Sequence, residues 1–405
     1  MPQYDVIISG GGMVGASLAC ALSGKGLRIA QVEAVELQTR SAPGYDDRAI
    51  ALAYGTRRIF EGLQLWDSLA AEATPIHHIH VSDRGRFGMV HMDRAEEGLP
   101  ALGYVVPARV IGDVLSAAVR QIGELDSYCP ATVTSVSQAD EAINVNISHE
   151  GKTTTLSAAL LVAADGADSP LREQFGISHV ETDYRQTAIV TNITPQLAHN
   201  NIAYERFTDS GPMALLPMTE QRCAVVWTVD SSRVEEIMAL DDAAFLAALQ
   251  ERFGYRLGRL DRVGRRQAWP LRLVQAKESV RERLALIGNA IHTLHPVAGQ
   301  GFNLGARDVA VLAEVLVDAL QVGEDPGSLA VLGRYGDWRK RDHRNVAVFT
   351  DGLARMFTLP LPALGVARSV SMTAFDLLPP AKRLLTRLTM GRSGRAPRLV
   401  RGLPL

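Results

Sequence analysis

Residues 4–34 carry the sequence pattern that most restricts the fold of this chain. A short apolar run, Val6–Ile8, is typical of a buried parallel strand, and apolar residues at helical spacing follow it. Between strand and helix lies a GxGxxG motif made by Gly10, Gly12 and Gly15. These glycines permit a tight turn, a close approach of the backbone to a pyrophosphate, and close packing of the helix on the strand.

A second strand, residues 27–32, ends at Glu33, about 20 residues after the motif. A carboxylate at this place can accept hydrogen bonds from both ribose hydroxyls, and a helix N-terminus favours an anion. The unit therefore predicts a dinucleotide site, with NAD and FAD both open because each contains an ADP half. The alternative is a glycine-rich turn that holds no ligand.

Length, net charge and cysteine content limit the type of protein that this chain can be. Its 405 residues predict two or three structural units. A net charge of −2 gives no indication of a nucleic-acid partner. The three cysteines lie far apart without metal-ligand spacing, which fits a reducing compartment. We find no cleavable leader and no apolar run long enough to span a bilayer, so we expect a cytoplasmic protein.

Two later segments also place a glycine turn after a strand. Residues 159–172 contain a buried strand, then Asp165-Gly166, then a short helix, although an ordinary turn is the alternative. Residues 284–308 contain a strand, Gly288-Asn289, a long glycine-rich apolar loop, and an amphipathic helix from about Asn303. Few folds need such a loop at a helix N-terminus so late in a chain.

In their order and spacing, these three elements resemble the fingerprints of the group A flavoprotein aromatic hydroxylases, which share the p-hydroxybenzoate hydroxylase fold. The resemblance covers nearly the whole chain and is closest to the ubiquinone-biosynthesis hydroxylases. The segments that carry it are DDRAIALAYGT (46–56), HVSDRG (80–85), ERFTDSGPMALLPM (205–218) and HPVAGQGFNLGARD (295–308). It implies an α/β protein in which a Rossmann-like FAD-binding domain is interleaved with a smaller substrate domain built on an antiparallel sheet, followed by C-terminal helices.

The resemblance also implies the chemistry. An FAD-dependent monooxygenase would insert one oxygen atom from O2 into a polyprenylated methoxyphenol through a flavin C4a-hydroperoxide. The sequence has no second GxGxxG for NADPH or NADH, and this fold has no separate domain for either, so the choice of reductant stays open. The alternatives are a sister hydroxylase acting at another ring carbon, a flavin-dependent prenyl reductase, and a prenyl-binding carrier.

The resemblance assigns the glycine-rich loop to the isoalloxazine ring of FAD. The loop residues expected at the cofactor are Gly299, Gln300, Gly301, Phe302 and Asn303. The N-terminus of the following helix would point at the flavin N1/O2 locus, where reduced flavin carries negative charge.

Further FAD contacts are expected from Asp165-Gly166, Asn289, Arg48 and Arg109. Asn289 stands where most relatives have aspartate. Asparagine keeps an acceptor oxygen and adds a donor but loses the charge. The two arginines would contact the pyrophosphate or the ribityl chain. The alternative for these last three residues is a turn or surface position without a ligand.

Three residues are candidates for holding or polarising the substrate phenol, whose free pKa is about 10. His295, with His292 near it, could act as an acid–base group or could simply pack in the interior. The carbonyl of Pro296 is an acceptor that needs no side chain, and its ring would wall the substrate side of the flavin. Gln186 begins a strand expected near the ring. We predict no metal site, since the histidine-rich stretch 77–80 lacks a partnering acid or cysteine at ligand spacing.

The predicted domains are interleaved along the chain. The FAD-binding domain comprises residues 1–72, 103–178 and 266–345, and the substrate domain comprises residues 73–102 and 179–265. Within the second, "DDAAFLAALQERFG" is typical of a helix, with Asp241 or Asp242 as its N-cap and Gly254 at its end.

Residues 346–405 are predicted to form a helical region with a basic tail. The tail holds seven cations and no acid: Lys382, Arg383, Arg387, Arg392, Arg395, Arg398 and Arg401. Together with the apolar residues before it, the tail could lie on an anionic membrane surface, which would suit a substrate dissolved in the bilayer. The alternative is a helix docked on the FAD-binding domain with a frayed end. Assembly with other quinone-biosynthesis proteins is an expectation from the family alone.

Overall fold

The computed structural model describes residues 2–35, 45, 47–139, 141–358, 362–391 and 394–405, with the backbone alone for 355–358 and 362–368. The strands are β1 (Tyr4–Ser9), β2 (Ile29–Val32), β3 (Ala49–Ala53), β4 (Thr74–Ile76), β5 (His78–Asp83), β6 (Met89–Asp93), β7 (Gly103–Pro107), β8 (Leu125–Tyr128), β9 (Ala131–Gln138), β10 (Ile143–His149), β11 (Lys152–Ala163), β12 (His179–Pro195), β13 (Ile202–Thr208), β14 (Gly211–Pro217), β15 (Cys223–Asp230), β16 (Leu260–Val263), β17 (Gln267–Ala276), β18 (Val280–Arg281), β19 (Leu284–Leu286) and β20 (His292–Thr293). The helices are α1 (Met13–Leu22), α2 (Tyr54–Gly62), α3 (Trp66–Ala70), α4 (Ala108–Val119), α5 (Pro170–Gln174), α6 (Val234–Met238), α7 (Asp242–Phe253), α8 (Gln300–Gln321), α9 (Leu329–Thr358), α10 (Pro362–Asp376), α11 (Pro379–Thr389) and α12 (Arg398–Arg401).

The first sheet positions the predicted nucleotide elements. Its strand order is β18-β19-β11-β1-β2-β8, and the β9–β10 hairpin extends it beside β11. Val6–Ile8 in β1 have no exposed surface, because β1 lies between two parallel neighbours and is covered on both faces. The strands β1, β2, β11 and β19 run parallel, so their carboxyl ends share one edge. The GxGxxG turn, Glu33, Asp165 and Gly288 follow those ends and therefore gather at this edge.

The second sheet is mostly antiparallel. Its order is β20-β17-β12-β15-β14-β13-β5-β6, with β16 paired to β12. One face is covered by α6 and α7, where Ile189, Trp227 and Phe245 belong to one apolar cluster. Asp241 caps α7 by accepting a hydrogen bond from Ala244 N (2.7 Å), as predicted from the sequence.

The opposite face of this sheet meets two other parts of the molecule. At one place Ala203 packs with Ile76 and Val105, which belong to the third sheet, β3-β7-β4. At another, Phe207 belongs to an apolar cluster with Val297, a residue of the loop before α8. The second sheet therefore packs against the glycine-rich loop.

The C-terminal helices complete the molecule. Helix α8 is buried along most of its length and packs against α1 and α9. Helix α10 runs beside the edge strand β6, where His91 N donates to Asp376 Oδ1 (2.9 Å). Leu399 and Val400 of α12 are buried in the core of the first sheet. Residues 394–405 are therefore docked on that core rather than frayed.

Four of the tail cations are held by residues from distant parts of the chain. These contacts are Lys382 with Glu96 (3.0 Å), Arg387 with Glu97 (3.7 Å), Arg398 with Glu314 (3.7 Å), and Arg395 over the ring of Trp338 (3.8 Å). Arg392 lies outside the described residues. The tail is thus less cationic toward solvent than the sequence suggests.

The predicted fold class is confirmed, with an α/β nucleotide-binding part, an antiparallel second sheet and helices at the C-terminus. The predicted domain limits stay a prediction. Two strands pair across them: β17, which starts at Gln267, belongs to the second sheet, and β4, which starts at Thr74, pairs with β7 in the third.

Candidate active site

Close backbone packing shapes the GxGxxG turn. Gly10 has a φ of +106°, and a Cβ there would overlap the carbonyl of Ala164. A Cβ on Gly15 would overlap the carbonyl oxygen of Gly10, so α1 approaches β1 closely only with glycine at this position. At Gly12 an added Cβ would meet no atom within 4 Å, and α1 begins there without a side-chain cap. Open space at an uncapped helix N-terminus fits a pyrophosphate.

Glu33 closes one side of this turn. One carboxylate oxygen accepts a hydrogen bond from Gly11 N, and the other accepts one from Val35 N (2.8 Å). The side chain is half-buried, so its oxygens also remain within reach of a ligand. Its contact with a ribose stays a prediction.

Asp165 keeps one free acceptor next to the turn. Its Oδ2 accepts a hydrogen bond from Leu171 N (3.2 Å), while its Oδ1 is buried and has no partner among the residues that the structure describes. Burial raises the pKa of this carboxyl. Gly166 follows it with open space in place of a side chain. A buried acceptor without a partner fits a hydroxyl donor of a bound dinucleotide.

Arg172 connects the segment after Asp165-Gly166 to the Gly288-Asn289 turn. The buried guanidinium donates to Ala167 O (2.9 Å) and to Ala290 O (3.0 Å). Asn289 precedes Ala290, is exposed, and makes no side-chain hydrogen bond within the described part of the chain. Its amide is therefore available to a ligand, and its predicted FAD contact stays a prediction.

The loop that enters α8 is held by Asn303. Its Oδ1 accepts hydrogen bonds from Ala53 N (2.7 Å) and Thr56 Oγ1 (2.7 Å), and its Nδ2 donates to Ala51 O (2.8 Å) and Gly299 O (2.6 Å). The amide is thus saturated by β3, α2 and the loop. Asn303, predicted from the sequence as a cofactor ligand, positions the loop through its side chain and has only its backbone left for a cofactor.

Of the other loop residues, the glycines leave space beside the backbone and Phe302 packs on the core. Gly299 caps α8 in the left-handed region, with a φ of +59°, and an added Cβ at Gly301 would meet nothing within 4 Å. Phe302 lies in a stacked arrangement with Phe60 (6.3 Å between ring centroids) and packs on the core. Gln300 donates to Ala298 O (3.0 Å), while its buried Oε1 has no partner among the described residues. This oxygen is a second free acceptor at the loop.

His295 is fully buried beside this loop. Its Nδ1 accepts a hydrogen bond from Val297 N (3.2 Å), so the proton of the neutral ring lies on Nε2, which has no partner in the described structure. Burial lowers the pKa of His295 to about 4, so the ring is neutral at pH 7. Its edge contacts the ring of Tyr184. The carbonyl of Pro296 accepts from Gly299 N (2.9 Å), which leaves it one further lone pair.

The two predicted arginines and Gln186 lie apart from this loop's hydrogen-bond network. Arg109 is held by carboxylates, with Asp47 at 3.2 Å and Glu72 at 3.1 Å, so its charge is already matched. Arg48 is exposed and lies 5.8 Å from the ring centroid of Trp269. Gln186 donates to Ser210 O (2.8 Å) within the second sheet. The contacts predicted for these three residues stay predictions.

Asp308 is a residue that the sequence analysis missed. It has no exposed surface and accepts four hydrogen bonds: from Gly288 N (3.0 Å), His292 Nε2 (3.1 Å), Arg339 Nε (2.7 Å) and His343 Nε2 (2.6 Å). It therefore joins α8 and α9 to the Gly288 turn and to β20. The signal was available, since Asp308 stands one helical turn from the apolar Leu304 and Leu312.

Opposing effects set the charge of this cluster. Burial acts to raise the pKa of Asp308, but His343, Arg339 and the hydrogen bonds from His292 and His343 outweigh it and hold the pKa well below its usual range. His292, Asp308 and His343 present donor atoms within 4.8 Å of one another, a spacing that a metal could use. Because the Arg339 guanidinium already neutralises the carboxylate, we assign the cluster to structural ion pairing.

Comparison with known proteins agrees with this geometry. Residues 3–348 match the family described as FAD binding domain. Ubiquinone hydroxylase UbiL of Rhodospirillum rubrum is 39% identical over 404 residues, covering 99% of this chain and 93% of that protein. Ubiquinone hydroxylase UbiM of Neisseria meningitidis is 31% identical over 392 residues, covering 96% of this chain and 84% of that protein.

A solved structure shares the fold. The p-nitrophenol 4-monooxygenase PnpA of Pseudomonas putida superposes with a TM-score of 0.79 at 20% identity, covering 96% of this chain and 98% of that one. Of the helices that the structure describes, none is long and apolar enough to cross a membrane. The chain belongs to the FAD binding domain family, in the group that contains the ubiquinone hydroxylases, and it is an FAD-dependent monooxygenase.

Proposed function

We propose that this protein hydroxylates the ring of a polyprenylated methoxyphenol in ubiquinone biosynthesis, with O2 and NAD(P)H as co-substrates. The observation that carries the proposal is the apolar enclosure of the loop before α8. Val297 of that loop lies in one cluster with Phe207 of β13 and Met372 of α10. Such a wall suits an apolar aromatic substrate, and full-length similarity to ubiquinone hydroxylases supports the same class.

FAD supplies the reduction of O2, and the protein supplies binding, orientation and a dry site. The open turn at Gly12 and the N-terminus of α1 would hold the pyrophosphate. Asp165 Oδ1 and Gln300 Oε1 are buried acceptors for hydroxyl or ring N–H donors of the cofactor. The N-terminus of α8 would stabilise negative charge on the reduced ring by up to about 2 kcal/mol.

The function is tested with the purified protein. We expect a flavin visible spectrum, and we expect O2 uptake with NADPH or NADH to give a product one oxygen atom heavier from a short-chain 2-prenyl-6-methoxyphenol. NMR of the product then identifies the hydroxylated carbon and separates this activity from that of a sister hydroxylase. Bound flavin without an oxygenated product from any prenylphenol would contradict the proposal in favour of a prenyl reductase. Failure to bind FAD would favour a carrier.

We also propose peripheral contact with the cytoplasmic face of a membrane, through the turn that joins α10 to α11. Leu377 is 75% exposed there, and Leu378 and Leu384 are 55% and 69% exposed. Arg383 beside them is exposed, and the sequence has no acid from residue 377 to its last residue. Three exposed leucines beside an exposed cation suit a bilayer with anionic headgroups.

A triple variant tests this contact. Wild-type holoprotein is expected to float with phosphatidylglycerol-containing vesicles more than with phosphatidylcholine alone. Changing Leu377, Leu378 and Leu384 to Gln should weaken vesicle binding by about tenfold or more, because burial of one leucine side chain contributes about 1.5–3 kcal/mol. Leu197→Gln is the control, as this leucine is 53% exposed on another part of the molecule. Equal flotation of the triple variant and the wild type would refute the assignment.

A further inference from the structure

Four neighbouring strands of the second sheet carry a row of side chains that stand directly opposite one another. Glu205 on β13 pairs with Ala214 on β14, which pairs with Val226 on β15, which pairs with Val190 on β12. Because side chains alternate along strands, all four lie on one face. Ile189 precedes Val190 and Trp227 follows Val226, so both point to the other face of the sheet. Both belong to the apolar cluster under α6 and α7, so the row lies on the face opposite those helices.

The row lies on the face of the sheet that meets the loop before α8. All four residues are only partly buried. By contrast, residues two positions along on the same face are covered: Ala203 and Phe207 on β13, and Ala224 and Thr228 on β15. Phe207, which is 2% exposed, shares the face with Glu205 and lies in the cluster with Val297. Glu205 and Phe207 are two residues apart on β13, so their Cα atoms are about 7 Å apart.

Glu205 is the one ionisable member of this row. Its carboxylate makes no hydrogen bond or ion pair with any residue that the structure describes, although such groups in a sheet interior usually have partners. The rest of the row consists of small aliphatic side chains, which leave room for a planar ring. An acid without a partner among apolar side chains resembles the arrangement by which enzymes hold a catalytic carboxyl.

We propose that the carboxyl of Glu205 contacts the phenol hydroxyl of the substrate and accepts its proton. This inference rests on the proposed function. The O–H bond of the phenol breaks, the proton moves to a Glu205 oxygen, and the electron pair stays on the phenol oxygen. That pair raises the electron density of the ring carbon that receives oxygen. The neutral carboxyl returns the proton when the product hydroxyl forms again, so the step is balanced without another reactant.

The charge state of Glu205 suits this role. Burial raises its pKa from 4.5 to about 8, which brings it closer to that of a phenol, about 10. Other ionisable groups on elements packed against this face are Asp83 on β5, which lies 3.7 Å from Arg86, His295 on the loop and Asp351 on α9. Proton acceptance by Glu205 should therefore increase as pH rises through about 8.

The test compares wild-type holoprotein with Glu205→Gln and with Glu235→Gln, an exposed acid of α6 on the other side of the sheet. We expect Glu205→Gln to lower the hydroxylation rate by about 100-fold or more and to remove the rise in rate through about pH 8. Its flavin content should equal that of the wild type. Glu235→Gln should retain the wild-type rate and pH profile.

Two further readouts do not depend on turnover. Affinity for the prenylphenol, measured by calorimetry between pH 6 and pH 9, where the free phenol stays protonated, should change with pH in the wild type and be flat in Glu205→Gln. The carboxyl destabilises the fold increasingly from pH 4.5 to about 8, because its folded pKa lies above its unfolded value. Glu205→Gln should therefore unfold at a higher temperature than wild type at pH 9 and at a similar temperature at pH 5.

The outcomes separate the two proposals. Retained rate with an unchanged pH profile in Glu205→Gln would overturn the role of Glu205, and so would loss of flavin together with a lower unfolding temperature. If wild type makes no hydroxylated product but binds the phenol with a pH dependence that Glu205→Gln lacks, the contact with Glu205 stands and the proposed function fails.

Discussion

Replacement of Asp308 with alanine is expected to lower the unfolding temperature of the protein by roughly 4–6 °C. Removal of one partner from a buried ion pair costs about 3–5 kcal/mol, because the other charge is left buried and unmatched. Here the loss also leaves three buried donors without an acceptor, namely Gly288 N and the Nε2 atoms of His292 and His343. Thermal unfolding followed by circular dichroism measures the shift, and flavin release is expected to accompany it.

A matched control lies on the same helix. Asp318 pairs with Arg398, but its side chain is 50% exposed, so Asp318→Ala should cost less than about 1 kcal/mol. The pH dependence gives a second check. The folded pKa of Asp308 lies below 3.8, so its contribution is complete above that pH and is lost as pH falls further. Equal unfolding temperatures for Asp308→Ala and Asp318→Ala would show that the cluster adds no net stability.

Local sequence signals predicted the elements that depend on local geometry. The GxGxxG turn, its flanking strands and its helix follow from glycine sterics and from apolar periodicity within about thirty residues. The cap of α7 was predicted because an Asp side chain satisfies a nearby backbone N–H without help from distant residues. The order of three such elements was then specific enough to indicate the fold.

Side-chain partners supplied by distant segments could not be predicted in this way. Arg109 follows a strand, a position that suits a phosphate ligand, but its guanidinium is already paired with Asp47 and Glu72. Asn303 belongs to the loop motif, yet its amide binds Ala51 and Ala53, some 250 residues earlier. A motif gives the place of a residue in the chain, and only the packed structure determines which of its atoms remain free.

The two residues to which we give the largest roles carried weak sequence signals. Asp308 interrupts the apolar face of α8, and its partners Arg339 and His343 stand one helical turn apart on α9. Glu205 is an acid in a strand of mixed character and looks like a surface residue. Its importance depends on strand register, because a shift of one residue would place it on the other face of the sheet.

The largest expected effect on cofactor binding comes from Gly12, and the matched variant is Gly15. An added Cβ at Gly12 meets no protein atom within 4 Å, so Gly12→Ala should leave the FAD-free fold and its unfolding temperature unchanged. The methyl group would instead occupy the space that the pyrophosphate needs, and FAD affinity should fall by about 100-fold, or about 2.7 kcal/mol.

Gly15→Ala should behave differently, because its Cβ would overlap the carbonyl oxygen of Gly10. Relief of that overlap requires α1 to move away from β1, so both the FAD-free unfolding temperature and FAD affinity should fall. Titration of each FAD-free variant with FAD, followed by flavin fluorescence, and thermal unfolding without FAD measure the two quantities separately. Unchanged FAD affinity in Gly12→Ala would mean that the pyrophosphate does not approach this turn. An unchanged unfolding temperature in Gly15→Ala would mean that helix and strand are not held as closely as the glycine spacing requires.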